Sequence, residues 1–151
     1  MTARIVQLAI SNGGVPKTPV LLATVTELGL VGDKQKHAKF HGGPLRALCL
    51  YSLELIEKLQ AEGHPIYPGS TGENVTISGL EWSALATGTR IALGEEVEIE
   101  LTTEADPCKT IAESFANRNF KRLAEPGEMR WYCKVLKAGA LRVGDAVLKW
   151  D

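Results

Sequence analysis

No run of about 18 apolar residues occurs in the 151-residue chain, so nothing in it reads as a membrane-spanning helix. An excess of either charge is missing too. The 17 Lys and Arg against 18 Asp and Glu leave a formal net charge of −1, without the broad positive field that non-specific binding to nucleic acid or anionic membranes uses. Trp82 and Trp150 come without a basic stripe, which disfavours a single-strand nucleic-acid platform. Neither nucleic acid nor membrane is therefore an expected partner. Cysteine is scarce and odd in number. Cys49, Cys108 and Cys133 form no Cys-x-x-Cys pair, arguing against a disulfide framework, an all-cysteine zinc knuckle or a resident iron–sulfur cluster, and leaving at least one thiol free. The first ten residues alternate instead of forming an apolar stretch with a cleavage site, so no signal peptide is expected and the cytoplasm is the default location. Neither a P-loop nor a dinucleotide fingerprint is present.

What is present suits one globular domain over residues 1–151, with 44% hydrophobic and 23% charged residues. Fifteen Gly and seven Pro fall between short apolar runs, a pattern of many strands and few helices. Strands are expected at Ile5 to Ile10, Val20 to Glu27, Arg46 to Tyr51, Asn74 to Ile77, Thr89 to Leu93, Val97 to Thr102, Trp131 to Leu136 and Ala146 to Trp150. Two helices are expected, at Leu53 to Ala61 and roughly Cys108 to Leu123. For the first, Ser52 suits the N-cap, Leu53, Ile56 and Leu59 form an inner stripe, Glu54 and Lys58 pair at i,i+4, and Gly63 follows the end. Such a pattern favours a mainly β fold, a closed or nearly closed β-barrel with a few helical insertions, because closure removes exposed edges. A sandwich is the alternative.

The chemistry centres on Ala105-Asp106-Pro107-Cys108-Lys109, which follows an alternating strand and precedes a helical pattern. Asp106 suits an N-cap and Pro107 the first helical position, placing Cys108 in the first turn. There, unpaired N–H groups and Lys109 would favour a thiolate. The plainer reading is a small buried residue at a helix start. Cys133, in phase with Trp131 and Val135, reads as core, and Cys49 as packing.

Three further segments could receive a ligand. Asp33 to Pro44 is the densest polar stretch, and His37 and His41 stand at i,i+4, but no Glu follows either as zinc proteases require. Its glycines, Gly42 and Gly43, permit close approach of backbone N–H groups, with Lys34, Lys36, Lys39 and Arg46 available for a phosphate. A solvated basic loop is the competing reading. Ser70-Thr71-Gly72-Glu73-Asn74 is a second glycine turn, and Ser11-Asn12-Gly13-Gly14-Val15-Pro16-Lys17 a third, rich in hydroxyl, amide and backbone donors.

Taken in order, Ser11 to Lys17, Gly32-Asp33-Lys34-Gln35, His41-Gly42-Gly43-Pro44-Leu45-Arg46-Ala47, Thr71-Gly72-Glu73-Asn74, Pro107-Cys108 and Val143-Gly144-Asp145 cover nearly the whole chain. This set resembles the MOSC domain family, found at the C-terminus of molybdenum-cofactor sulfurases and in small stand-alone bacterial proteins. The resemblance implies a barrel-like fold, the molybdenum cofactor (molybdopterin) as ligand, and Cys108 as the sulfur that binds the metal or delivers sulfur to it. For such a cofactor, residue chemistry makes Lys17, Lys34 and Arg46 candidates for phosphate or pterin contacts, Glu73 and Asn74 candidates for pterin edges, and His41, Gly42 and Gly43 candidates to line the site. One departure is Glu104-Ala105-Asp106, where many relatives carry an Arg shortly before the cysteine element.

The leading expectation is an oxo-transfer reductase of small N-hydroxylated substrates with a Cys108 thiolate on molybdenum, fed by a separate electron-donor protein. Its rival is a sulfur carrier, or sulfurtransferase, forming a persulfide on Cys108 with a cysteine desulfurase as partner. A non-catalytic small-barrel binding module is the third.

Overall fold

The computed structural model describes residues 2–34 and 43–150. Eleven strands lie among them: β1 (Arg4–Ile10), β2 (Thr18–Val20), β3 (Leu22–Thr26), β4 (Gly29–Leu30), β5 (Leu48–Ser52) and β6 (Val75–Ser78), followed by β7 (Arg90–Leu93), β8 (Val97–Ala105), β9 (Arg130–Lys137), β10 (Gly139–Arg142) and β11 (Val147–Lys149). Eight form one sheet in the order β11-β7-β8-β9-β5-β6-β1-β2, and β10-β3-β4 form a second. All strand pairs are antiparallel except β5 with β6, which are separated by the helix α1 (Leu53–Ala61). A parallel pair needs such a crossover.

The expected closure is not reached as a continuous ladder. The chain leading into β11 meets the start of β1 at one isolated antiparallel bridge, Arg4 with Ala146, with Ile5 N donating to the Asp145 carbonyl at 2.9 Å. Neither sheet closes on itself among the described residues.

Alternation sends Ile5, Leu8, Leu50, Val75, Ile77, Ile91, Leu93, Ile99, Leu101 and Cys133 into one fully enclosed core. Onto it α1 lays Ile56 and Leu59, while Ser52 caps the helix by accepting from Leu55 N. Glu54 and Lys58 do not pair with each other as expected. Glu54 accepts from Gly79 N, and Lys58 reaches Glu128 at 2.6 Å, because tertiary partners stand closer than the next helical turn.

Strands β4 and β10 fall outside the expected elements, and two expected elements are broken. Val20 to Glu27 breaks between β2 and β3, which belong to different sheets. Cys108 to Leu123 is not one helix but three short 3-10 pieces, Lys109–Ser114, Ala116–Arg118 and Phe120–Ala124. Phe115 is extended and buried at the first break, while Asn117 and Arg118 adopt left-handed φ values of 56° and 55°. With polar residues at 117 to 119, no continuous apolar stripe exists to reward a longer helix. Among the described residues no helix is long and apolar enough to cross a membrane.

Candidate ligand site

Strand ends bring the chemistry together. The C-terminal end of β8 runs straight into Asp106-Pro107-Cys108, and its last residue, Ala105, is in register with Arg130, the first residue of β9. The loop after β1 and the turn before β6 approach the same end, where Asn12 and Lys34 form a parallel bridge and Lys34 N donates to the Ser11 carbonyl. Gly72 lets these loops close on each other: its φ is +89°, and a Cβ there would lie 2.9 Å from Val15 Cγ1.

Between these segments lies a cavity of about 560 Å³. Its lining includes the loop Asn12 to Val15, then Lys17 and Lys34, Thr71 and Gly72, and finally Cys49, Cys108, Thr110, Arg130 and Tyr132. Volumes of a few hundred Å³ suit a drug-sized ligand. Cys108 is partly exposed on this wall, and its Sγ stands 2.8 Å from Thr110 Oγ1. The expected position in a first helical turn is corrected: Cys108 is itself the N-cap of Lys109–Ser114, with an extended backbone. Strand β8 runs on through Ala105, and the proline at 107 disfavours helical backbone at Asp106, so the turn starts later.

The other expected residues divide. Lys17 and Lys34 line the cavity. Lys17 is buried, and its ammonium is 2.7 Å from Asp33 Oδ1, whose carboxylate also accepts from Ser11 N and from the Asn74 amide. Arg46 stacks its guanidinium 5.1 Å from the centre of the Tyr132 ring, so it reaches the cavity through that wall residue. Gly43 is exposed at the start of the 3-10 turn Pro44–Arg46. His41 and Gly42 lie outside the described residues, as does His37.

Glu73 and Asn74 face inward instead. The Asn74 amide accepts from Cys49 N and donates to the Ala9 carbonyl and Asp33, so its hydrogen-bonding capacity stitches β5, β1 and the Asp33 turn together. Glu73 is fully buried; Thr71 Oγ1 donates to one oxygen at 2.7 Å, and among the described residues the other has no partner. Burial pushes the Glu73 carboxyl above its ordinary 4.5, against the opposing pull of Thr71 and the Arg130 charge. The folded state thus holds this proton more tightly than the unfolded chain, and stability falls as pH rises from 4.5 through the raised value. Glu73→Gln is accordingly expected to raise the urea midpoint at pH 7 and to converge with the wild type near pH 4; equal midpoints at both pH values would refute this.

Sequence reasoning missed Arg130, Tyr132, Thr110 and the role of Cys49. Cys49 is buried as expected for packing, with its thiol pushed up to about 11, yet it also forms part of the cavity floor. Burial pushes the Tyr132 phenol up to about 12. Nothing local marks Arg130; only the β8–β9 register sets it beside the cysteine segment.

The sequence profile of the MOSC domain matches residues 37–148. This chain belongs to the MOSC domain family. Over 120 residues it is 31% identical to protein YiiM of Escherichia coli, over 124 residues 29% identical to a Gibberella moniliformis protein named reductase, and over 134 residues 27% identical to Bacillus subtilis YflK. These alignments cover 76%, 79% and 87% of the chain but only 53%, 22% and 60% of the relatives. Among solved structures, YiiM from Geobacillus stearothermophilus superposes with a TM-score of 0.80 at 22% identity, over 99% of this chain and 75% of that one. The YUAD protein of Bacillus subtilis gives 0.77 at 23%, over 97% and 94%. Both share the mainly β fold.

The MOSC family is associated with the molybdenum cofactor, and the cavity residues fit such a group. Among the described residues no three His, Cys, Asp or Glu converge as a metal cluster, and a partly exposed thiol is a soft donor on the cavity wall. Cys108 offers that soft donor, and the Asn12 to Val15 loop, Thr71 and Lys34 offer amide, hydroxyl and ammonium groups for a polar ring and an anionic tail.

Proposed function

We propose that this MOSC domain binds the molybdenum cofactor in the Cys108 cavity and acts as an oxo-transfer reductase of small N-hydroxylated compounds. The observation that supports it is one partly exposed thiol on the wall of a loop-lined cavity, while the other two cysteines are buried. When bound, the cofactor supplies two-electron oxo-transfer chemistry. Cys108 would hold it through sulfur, with the Thr110 hydroxyl orienting that sulfur from 2.8 Å. Lys34, exposed at the rim, would take an anionic group, and Tyr132 and Ile111 would exclude water from one side. The buried Lys17–Asp33 pair keeps the two loops in place. Electrons would come from a separate donor protein. In the same reading the eight-stranded sheet is the wall of a nearly closed barrel, supported by the Arg4–Ala146 bridge. The reductase name of the Gibberella relative agrees with this activity, although the alignment covers 22% of that protein.

Protein purified from a molybdenum-replete host is expected to contain close to stoichiometric molybdenum by elemental analysis; a metal-free product that also fails to take up added cofactor would sink the proposal.

The exposure of Cys108 also supports a sulfur-carrier reading, in which its thiolate takes a sulfur atom from a desulfurase persulfide and releases the desulfurase thiol. A mass increase of one sulfur on the Cys108 peptide after incubation with a cysteine desulfurase and cysteine favours that reading; an unmodified peptide removes it.

A further inference from the structure

Arg130 is a buried cation with no carboxylate at ion-pair distance among the described residues. The side chain is buried, with 5% of its surface exposed, and it lines the cavity. Among the described residues its guanidinium donates only to backbone carbonyls, Nη1 to Thr71, and Nη2 over 3.4 Å to both Ala105 and Asp106, and Nε has no partner. Glu73 senses the charge without touching it, and burial opposes ionisation there. Carbonyl dipoles satisfy N–H groups, but they do not cancel a cationic charge, and a buried charge without a counter-ion is costly.

Position gives this charge a use. Asp106, whose carbonyl Arg130 holds, is two residues from Cys108, and both residues line the cavity. Asp106 is an exposed residue, where water screens charge, whereas the field of the buried guanidinium acts through protein.

We propose that Arg130 makes the thiol end of the cavity an anion-receiving site, so that this protein prefers small ligands carrying a carboxylate or oxyanion next to the group that meets Cys108. The proposal rests on the placement of the reactive site at Cys108, and it names the substrate class of that site. Lys34 adds a second, exposed cation on the same cavity. Ligand entry completes the charge balance that the Thr71, Ala105 and Asp106 carbonyls leave open.

The test uses two alkylating reagents of similar size on cofactor-free protein, anionic iodoacetate and neutral iodoacetamide, with the rate at Cys108 read by peptide mass spectrometry. In both reactions the thiolate sulfur forms a bond to carbon and iodide leaves, so any change in thiolate population cancels from the ratio of rates. Arg130→Gln is expected to lower the iodoacetate-to-iodoacetamide ratio about fivefold, as loss of a nearby cation predicts, with Arg130→Lys retaining most of it. In the wild type, sodium sulfate should slow iodoacetate more than iodoacetamide when compared with sodium chloride at equal ionic strength. A ratio that stays within about twofold in Arg130→Gln overturns the proposal, since a lost local charge should exceed that. So does a wild-type ratio that sulfate leaves unmoved, a measurement that needs no variant to fold. Because no cofactor is present, the outcome is separate from whether the protein binds molybdenum.

Discussion

Cys108→Ser is expected to lower the molybdenum retained per chain by at least about tenfold, because a serine hydroxyl is a hard, weakly ionised donor and outer-shell changes alone cost metal sites that much. The same substitution should barely disturb folding. Cys108 is partly exposed, its sulfur meets the Thr110 hydroxyl, and serine keeps that hydrogen bond. The unfolding free energy should stay within about 0.5 kcal/mol of the wild type, as for other surface changes. Elemental analysis and urea titration on one preparation separate the two effects. Full metal retention by the serine variant would remove Cys108 as the ligand.

The opposite signature is expected at Asn74. Asn74→Ala removes one acceptor and one amide group that together hold Cys49 N, the Ala9 carbonyl and Asp33. Each buried group left without a partner costs about 1–3 kcal/mol, so a loss of about 3 kcal/mol is expected, read as a lower urea midpoint at unchanged slope. Asp33 also anchors Lys17 and Ser11 N, so the loop from Ser11 to Lys17 should loosen and metal retention should fall with stability. A midpoint shift equivalent to less than about 1 kcal/mol would show that water replaces the amide without cost. The contrast between the two variants distinguishes a residue that meets the ligand from one that builds the wall.

This division was only partly legible beforehand. Local signals sufficed for α1, whose cap, apolar stripe and following Gly63 lie within a dozen residues, and for strands whose alternation is internal to them, such as β1 and β8. They failed where a partner far along the chain decides. Glu54 and Lys58 look like a helical pair and bond instead to Gly79 and Glu128. Asn74 looks like a turn residue that could meet a ligand, yet one donor and two acceptors from β5, β1 and the Asp33 turn claim it.

At the site itself, the Asp-Pro-Cys-Lys context singled out Cys108, and the ordered glycine loops pointed to the MOSC family. Arg130 had no such signal, since an arginine at the start of a strand is ordinary. Residue chemistry and short-range periodicity therefore determined α1 and most strands and drew attention to Cys108, while the family came from resemblance. Strand register decided which loops share a cavity and which charge stands beside the cysteine segment, because pairing Ala105 with Arg130 joins positions whose separation along the chain no local pattern encodes.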